Sequence, residues 1–410
     1  MNIDLLDNIG KKSSDLTKFL SSETDGVFYT GHASILVRLN KKKYLFDYIN
    51  NTNFYRNSWI FFPNQIIDKR LYNVDGVFVS HIHQDHYDPA LLRKFQRKGV
   101  PIYILNGREN FKKALKKEKL KVNLIPVKKK TFISNNTWVY GCLHEYNDID
   151  SSLVISNNNL SVYHGNDNFI TEKSLIPFKK KVGNIDVGCI PFAYINYYPY
   201  LLNGISNKQN KSEARRLENL FMDYGIKQSK ILKPKIIIPF GSNLFHIDNP
   251  KCAMNKGVAT PVDFVNYAKK QHKHLSNNYK TMLSGSFCLK KNDKIQLFYE
   301  NIDKQYFNSE LIKFTNKKKQ TKVKKNKINI VTINKDKLIN LKNKISKNNN
   351  KIDHNIVISS KSKKNLKIVI NLKKDSVILN NTNKIPNKCH YFILEDNEFK
   401  LYGDGNVITF

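Results

Sequence analysis

Apolar residues run along this chain in short stretches broken by polar clusters, and that pattern predicts a strand-rich fold with a few helices. Phe28 to Leu39 and Lys43 to Asp47 read as two strands joined at Asn40-Lys41-Lys42. Gly76 to Val79, Pro101 to Leu105, Val122 to Val127 and Thr137 to Gly141 follow as further strands. Asp150 to Ile155 and Leu160 to Asp167 read as a hairpin around Ser156-Asn157-Asn158-Asn159. Helices are predicted at Pro89 to Arg97, Asn110 to Leu120 and Ser212 to Tyr224. Asp88 is placed to cap the first of these, and Pro89 suits its first helical position. Strands alternating with helices over this length predict a layered α/β fold.

From about Asn301 the pattern changes. Leu311 to Asn350 is rich in lysine and asparagine and reads as a linker or surface helix. Ile368 to Ile370, Ser376 to Leu379, Tyr391 to Leu394 and Val407 to Phe410 read as strands of a small β-rich appendage. The pattern therefore predicts one unit over residues 1–300 and a second, basic and β-rich unit over 301–410.

The chemistry concentrates where the run Gly76-Val77-Phe78-Val79 stops at Ser80, because His81, His83, Asp85 and His86 follow at once. On an extended segment His81, His83 and Asp85 share one face, and a turn brings His86 round beside them. Imidazoles and a carboxylate packed this tightly are costly to bury unpaired. Together they are a donor set that zinc or iron prefers.

Charge changes the picture less than its size suggests. The 410 residues carry a formal net charge of +35. Between Leu311 and Ile370 there are 18 lysines against 2 aspartates, which is nearly half of the excess and reads as a solvated face. The remainder favours an anionic partner, either a phosphate-bearing small molecule or nucleic acid. No apolar run is long enough for a membrane span or, in the first eighteen residues, a signal peptide, so a cytoplasmic protein is expected. The five cysteines are scattered, without a Cys-x-x-Cys pair, which argues against a disulfide framework or a cysteine-bound zinc module. Of the two motifs of a Rieske centre, only Cys-x-His occurs, at Cys142-Leu143-His144.

The run from His81 to His86 resembles the His-x-His-x-Asp-His signature of the metallo-β-lactamase superfamily. Phe28 to Val37, Tyr44 to Asp47 and the helix start at Tyr87 to Leu92 extend the likeness. Within the superfamily the chain is most similar to the metal domain of CMP-N-acetylneuraminate hydroxylase-like proteins, and more distantly to N-acylphosphatidylethanolamine phospholipase D. The resemblance implies an αββα sandwich and two divalent metal ions, zinc first, with iron or manganese also suited. It implies that His144 joins His81 and His83 at one metal, and that Asp167 bridges to a second metal held by Asp85 and His86. Asp47 would support the ligands by hydrogen bonding, and His164 would pack beside the site. Many relatives place the last histidine two residues after a proline, where this chain has Gly241. His246, five residues further on, is the candidate to replace it. The aromatic segment that follows Ile190 offers Tyr194, Asn196 and Tyr197 to a sugar or nucleotide.

These expectations describe a dinuclear metallohydrolase acting on a phosphate-containing, ester or lactone substrate. Two cations would share a water and lower its pKa enough to supply hydroxide, with Asp85 orienting it. Two other reactions use similar ligands. One is an iron-dependent oxygenase acting on a nucleotide sugar with a separate electron donor, and the other is a nuclease.

Overall fold

The computed structural model describes residues 13–50, 59–145, 149–193, 195, 198–199, 202–246, 258–321, 355–360, 362, 366–371, 376–381, 385–386 and 389–394. Period-two alternation along its strands sorts the apolar side chains into separate cores. In β1 (Gly26–Gly31), β2 (Ser34–Leu39) and β3 (Lys42–Phe46), Val27, Tyr29, Val37, Tyr44 and Phe46 face one way, while Phe28, Leu36 and Leu45 face the other. The first set meets Val139, Leu153, Ile155, Val162, Val187 and Ile238 of an opposing sheet, and the second set meets helices. The result is four layers, helix, sheet, sheet and helix.

The first sheet has eight strands in the order β17-β16-β1-β2-β3-β5-β6-β7, where β5 is Gly76–Phe78, β6 Ile102–Leu105, β7 Asn123–Ile125, β16 Phe287–Lys291 and β17 Lys294–Phe298. Its outer face is covered by α1 (Ser13–Ser21), α2 (Pro89–Arg97) and α3 (Glu109–Lys117) through Leu16, Phe19, Leu91, Phe95, Phe111 and Leu115. The second sheet has six strands in the order β14-β12-β11-β10-β9-β8. These are β8 (Thr131–Ser134), β9 (Thr137–Leu143), β10 (Ser151–Ser156), β11 (Ser161–His164), β12 (Val187–Pro191) and β14 (Ile236–Phe240). Its outer face carries α4 (Glu172–Val182), α5 (Asn207–Leu232) and α6 (Pro261–Gln271).

Local signals account for several boundaries. Asp88 Oδ1 accepts from Leu91 N–H at 2.9 Å and Pro89 opens α2, as its sequence predicts. A capping box at Ser206 and Gln209 starts α5 five residues before the predicted Ser212 and carries it past Tyr224 to Leu232. The stretch from Phe28 to Leu39 departs from expectation, because it is not one strand. Gly31 and His32 both have positive φ, 134° and 49°, and the chain reverses there into a β1–β2 hairpin.

Two short strands, β4 (Trp59–Phe61) and β15 (Leu244–His246), pair into a ribbon. Beneath it Phe62 and Phe245 pack with Phe307 and Phe314 of α7 (Lys304–Thr321), so the start of the lysine-rich segment is core-facing, not a surface helix. Beyond it, β18 (Asn355–Ser360), β19 (Leu366–Asn371), β20 (Ser376–Asn381) and β21 (Cys389–Leu394) form the β-rich appendage. Of these strands, β18 has no counterpart in the sequence reading, and the predicted strand at Val407 to Phe410 lies outside the described residues. The β21 strand pairs antiparallel with β13 (Leu202–Asn203), Leu202 opposite Phe392, which joins the appendage to the chain before α5.

One carboxyl in the helical layer gives a pH-dependent expectation. Burial of Glu218 on α5, with the Asp263 carboxylate beside it, pushes its pKa up from 4.5 to about 7 against the pull of Lys304 and Arg215. The folded chain then holds this proton to higher pH than the unfolded chain, so stability falls as pH rises through that window. Glu218→Gln should raise the melting temperature at pH 8 and leave it unchanged at pH 4. After allowance for solvent screening of a partly exposed group, the gain is about 1 kcal/mol, readable by thermal denaturation across the pH range.

Candidate metal centre

The chain gathers its histidines and aspartates where the sheets end together: the β1–β2 turn, the residues after β3, β5 and β11, and the loop before β10. Asp47, directly after β3, is the anchor. It is 2 % exposed and has a φ of 41°. Its Oδ1 accepts from Ser80 N–H at 2.7 Å, and its Oδ2 accepts from Ser80 Oγ–H at 2.5 Å and from His86 Nδ1–H at 3.1 Å. A carboxylate can only accept here, so His86 carries a proton on Nδ1 and its Nε2 faces away from Asp47.

Ser80 passes the same ordering to His81. Its hydroxyl proton is committed to Asp47, so its oxygen faces His81 Nδ1 at 3.0 Å as the acceptor, which leaves Nε2 of His81 as the lone-pair atom. Nε2 lies 2.7 Å from His83 Nδ1, 3.8 Å from Asp150 Oδ1 and 3.9 Å from Asp167 Oδ2. Burial, with the nearby charges of His86 and His83, holds the His81 imidazole well below its usual range and therefore neutral. The Ser80 carbonyl accepts from the buried Arg108 guanidinium and, at 3.0 Å, from Ser151 Oγ–H. Arg108 also donates to the Ile149 carbonyl at 2.6 Å. This guanidinium ties the metal-motif loop to the loop that carries Asp150.

His86 faces the second half of the site. Its Nε2 lies 3.4 Å from Asp85 Oδ2 and 3.2 Å from Asp167 Oδ2, while His32 Nε2 lies 3.0 Å from the same Asp85 oxygen. Burial opposes a charge on His86, but the Asp167 and Asp85 carboxylates outweigh it and hold the imidazole well above its usual range. For Asp85, burial likewise opposes the charge, and the positive charge on His86 and the hydrogen bond from His32 overcome it, leaving the carboxyl well below its usual range. Two carboxylate oxygens facing one imidazole nitrogen need positive charge between them, from a proton or from a metal ion. The donor set fits a divalent metal ion: the ligand atoms of His32, Asp85 and His86 lie within 4.8 Å of one another, as do those of His81, His83 and Asp167.

Asp167 stands between the two groups and is the open side of the site, its side chain 31 % exposed against 1 % for His81. Asn166 before it has a φ of 55°, a left-handed conformation that asparagine tolerates, and its amide packs 3.1 Å from His81 Nδ1.

The structure thus brings together His81, His83, Asp85, His86, Asp167 and Asp47. His144 is half-buried at the end of β9, where its N–H donates to the Asp150 carbonyl at 2.9 Å, and it belongs to neither group of ligand atoms. His246 is buried on β15 with its ring edge-on to Trp59 at 5.2 Å, also in neither group. His164 donates from Nε2 to the Ala33 carbonyl at 3.1 Å and packs between Phe46 and Phe240, so it holds the β1–β2 turn. Tyr194, Asn196 and Tyr197 lie outside the described residues. The aromatic loop after β3 divides: Phe61 stacks on His32 at 4.6 Å, whereas Phe62 packs in the core below. His32, Arg108 and Asp150 were not singled out in the sequence. The one local signal for His32 is the preceding Gly31.

Residues 26–203 match the family model described as a beta-lactamase superfamily domain. A curated relative, described as a putative Rieske 2Fe-2S iron-sulfur protein from Mycolicibacterium smegmatis, is 34 % identical over 76 residues, which is 18 % of this chain and 14 % of that protein. Among solved structures, a metallo hydrolase from the hyperthermophilic archaeon Ignicoccus hospitalis is 15 % identical, with 68 % of this chain and 100 % of that one covered and a TM-score of 0.44. CmlA, a diiron beta-hydroxylase from Streptomyces venezuelae, is also 15 % identical, with 62 % of this chain and 52 % of that one covered and a TM-score of 0.41. Among the described residues, no helix is long and apolar enough to cross a membrane.

Proposed function

We propose that this chain, whose residues 26–203 match a beta-lactamase superfamily domain, is a metal-dependent hydrolase of an anionic phosphate-containing, ester or lactone substrate. The observation that carries the reading is Asp167 Oδ2, 3.2 Å from His86 Nε2 and 3.9 Å from His81 Nε2, a carboxylate set between two groups of ligand atoms. His81, His83 and Asp167 would hold one cation, and Asp85 and His86, sharing Asp167, a second. When bound, such cations supply an acidified water and positive charge to offset the charge that develops on the attacked group.

The chain's own residues prepare that chemistry. Asp47 holds a proton on the Nδ1 of His86 and Ser80 lies against the Nδ1 of His81, so both rings turn Nε2 toward the site, where a bound cation would take the place of the Nε2 proton of His86. His81 and His86 are fully buried, while Asp167 and His83 face the opening, so substrate and water approach from the Asp167 side. Arg108 and Ser151 hold the Ser80 carbonyl and keep the motif loop from shifting, which matters because about 1 Å of displacement can cost 100-fold in rate.

One other reading, an iron-dependent oxygenase fed by a separate electron donor, uses the same imidazole and carboxylate donors, which suit iron as well as zinc. Cys142, the cysteine of the Cys-x-His motif, is buried in the outer core with Tyr163 and Phe178, facing helices.

Elemental analysis of the purified, metal-replete chain, with hydrolysis of chromogenic phosphodiester and ester probes before and after chelation, tests the proposal. About two zinc or manganese ions per chain and hydrolysis that chelation abolishes and metal restores are the expected result. Stoichiometric iron without hydrolysis would promote the oxygenase, and a chain that retains no metal would end the metal-dependent reading.

A further inference from the structure

We infer that His32 completes the second cation position, supplying from the β1–β2 turn the imidazole that the chain omits at Gly241. The inference rests on the metal-dependent reading above.

The Gly241 position is ill suited to the side chain. Its φ is +74°, and a Cβ built there would stand 2.9 Å from Asp167 Oδ1. A histidine at this slot would have to push aside the carboxylate that lies between the two groups. His246 stands on the ribbon with its ring edge-on to Trp59 and belongs to neither group.

His32 arrives from the β1–β2 turn, its Nε2 3.0 Å from Asp85 Oδ2. It is 1 % exposed, and its Nε2 is within 4.8 Å of the ligand atoms of Asp85 and His86. His86 Nε2, fully buried, has no aligned hydrogen-bond partner although carboxylate oxygens lie 3.2 and 3.4 Å away. A hydrogen bond joins His32 to Asp85, but His86 Nε2 lines up with neither carboxylate beside it, which is the arrangement of donors gathered around a common ion and not of groups that pair off completely. Asp85, His86, His32 and the shared Asp167 would give a cation there four donors, the number that zinc or cobalt takes.

The turn is built to hold the ring there. Tyr29 Oη–H donates to the His32 carbonyl at 2.7 Å, Gly241 N–H reaches the same oxygen at 3.3 Å, and His164 Nε2–H donates to the Ala33 carbonyl at 3.1 Å. Phe61 lies on the imidazole face with centroids 4.6 Å apart and planes 20° apart. Gly241, which leaves the histidine slot vacant, therefore also braces the backbone of its replacement.

A purely positioning role, in which His32 only hydrogen-bonds Asp85, makes a different prediction. His32→Asn suits the positive φ and keeps an amide donor for Asp85, but removes the imidazole. Wild type, His32→Asn and His246→Asn are loaded with Co(II), and bound cobalt is measured by elemental analysis and by the visible d–d band, with circular dichroism melting as the fold check. We expect about two cobalt ions in wild type and in His246→Asn, and about one in His32→Asn with roughly half of the visible intensity lost. His32→Asn that keeps both ions and an unchanged band would overturn the inference, as would loss of one ion from His246→Asn instead. A wild-type chain that takes up no cobalt at all would overturn the metal-dependent reading itself, and this inference with it.

Discussion

Replacing Asp167 with alanine should lower metal-dependent hydrolysis by about 1,000-fold, equivalent to about 4 kcal/mol, while leaving the fold in place. The two effects separate because of where the carboxylate sits. Its Oδ2 faces His86 Nε2 at 3.2 Å and His81 Nε2 at 3.9 Å, so one substitution removes a donor from both groups. No neutral side chain replaces an oxygen whose lone pairs serve two cations. At the same time Asp167 is 31 % exposed on its side chain and makes no contribution to either core, so the melting temperature of the metal-free variant should stay within about 1 kcal/mol of wild type. Metal content should fall from about two ions to one or none. Full metal content with a merely reduced rate would show that Asp167 is not shared between the two groups.

The legibility of this fold in its sequence depends on how local each determinant is. The α2 helix was readable because Asp88 and Pro89, adjacent in sequence, set its first turn by themselves. The His81 to His86 run was readable as a donor set for the same reason, since those donors sit on one strand end. His32 was not readable. The runs Val27-Phe28-Tyr29 and Ile35-Leu36-Val37 on either side of it are apolar and β-prone, so Phe28 to Leu39 scans as one strand. The break at Gly31 is imposed from far along the chain: a Cβ there would meet Ser284 Oγ at 2.7 Å and Gln65 Cα at 2.8 Å. Only once the hairpin turns does His32 arrive beside Asp85, 53 residues later in the sequence.

Arg108 and Asp150 were missed on the same physical ground. Nothing in Gly107-Arg108-Glu109 marks a buried guanidinium, because it donates to the carbonyls of Ser80 and Ile149, contributed by the loops after β5 and before β10. The β18 strand was missed for a plainer reason. Asn355 to Ser360 is short and ends in two serines, and its burial comes from pairing with β19 and β21 rather than from its own composition.

Asp47 carries the second large expectation, and its two variants should fail in different ways. Alanine removes an acceptor on which Ser80 N–H, Ser80 Oγ–H and His86 Nδ1–H all depend, each of them buried. Leaving these donors without a partner should destabilise the chain by about 3–5 kcal/mol, measurable by denaturant unfolding. Asparagine should cost less, because its carbonyl oxygen still accepts from the Ser80 backbone. Its amide, however, presents hydrogens where Oδ2 was, and they oppose Nδ1–H of His86. The imidazole then has to move its proton to Nε2, the atom that faces Asp85 and Asp167. Asp47→Asn should therefore fold with near wild-type cooperativity yet bind metal about 10- to 100-fold more weakly. Its His86 ring should show the opposite tautomer by nitrogen NMR. Wild-type metal affinity in the asparagine variant would show that Asp47 only braces the fold, with no hold on which nitrogen of His86 is offered to the site.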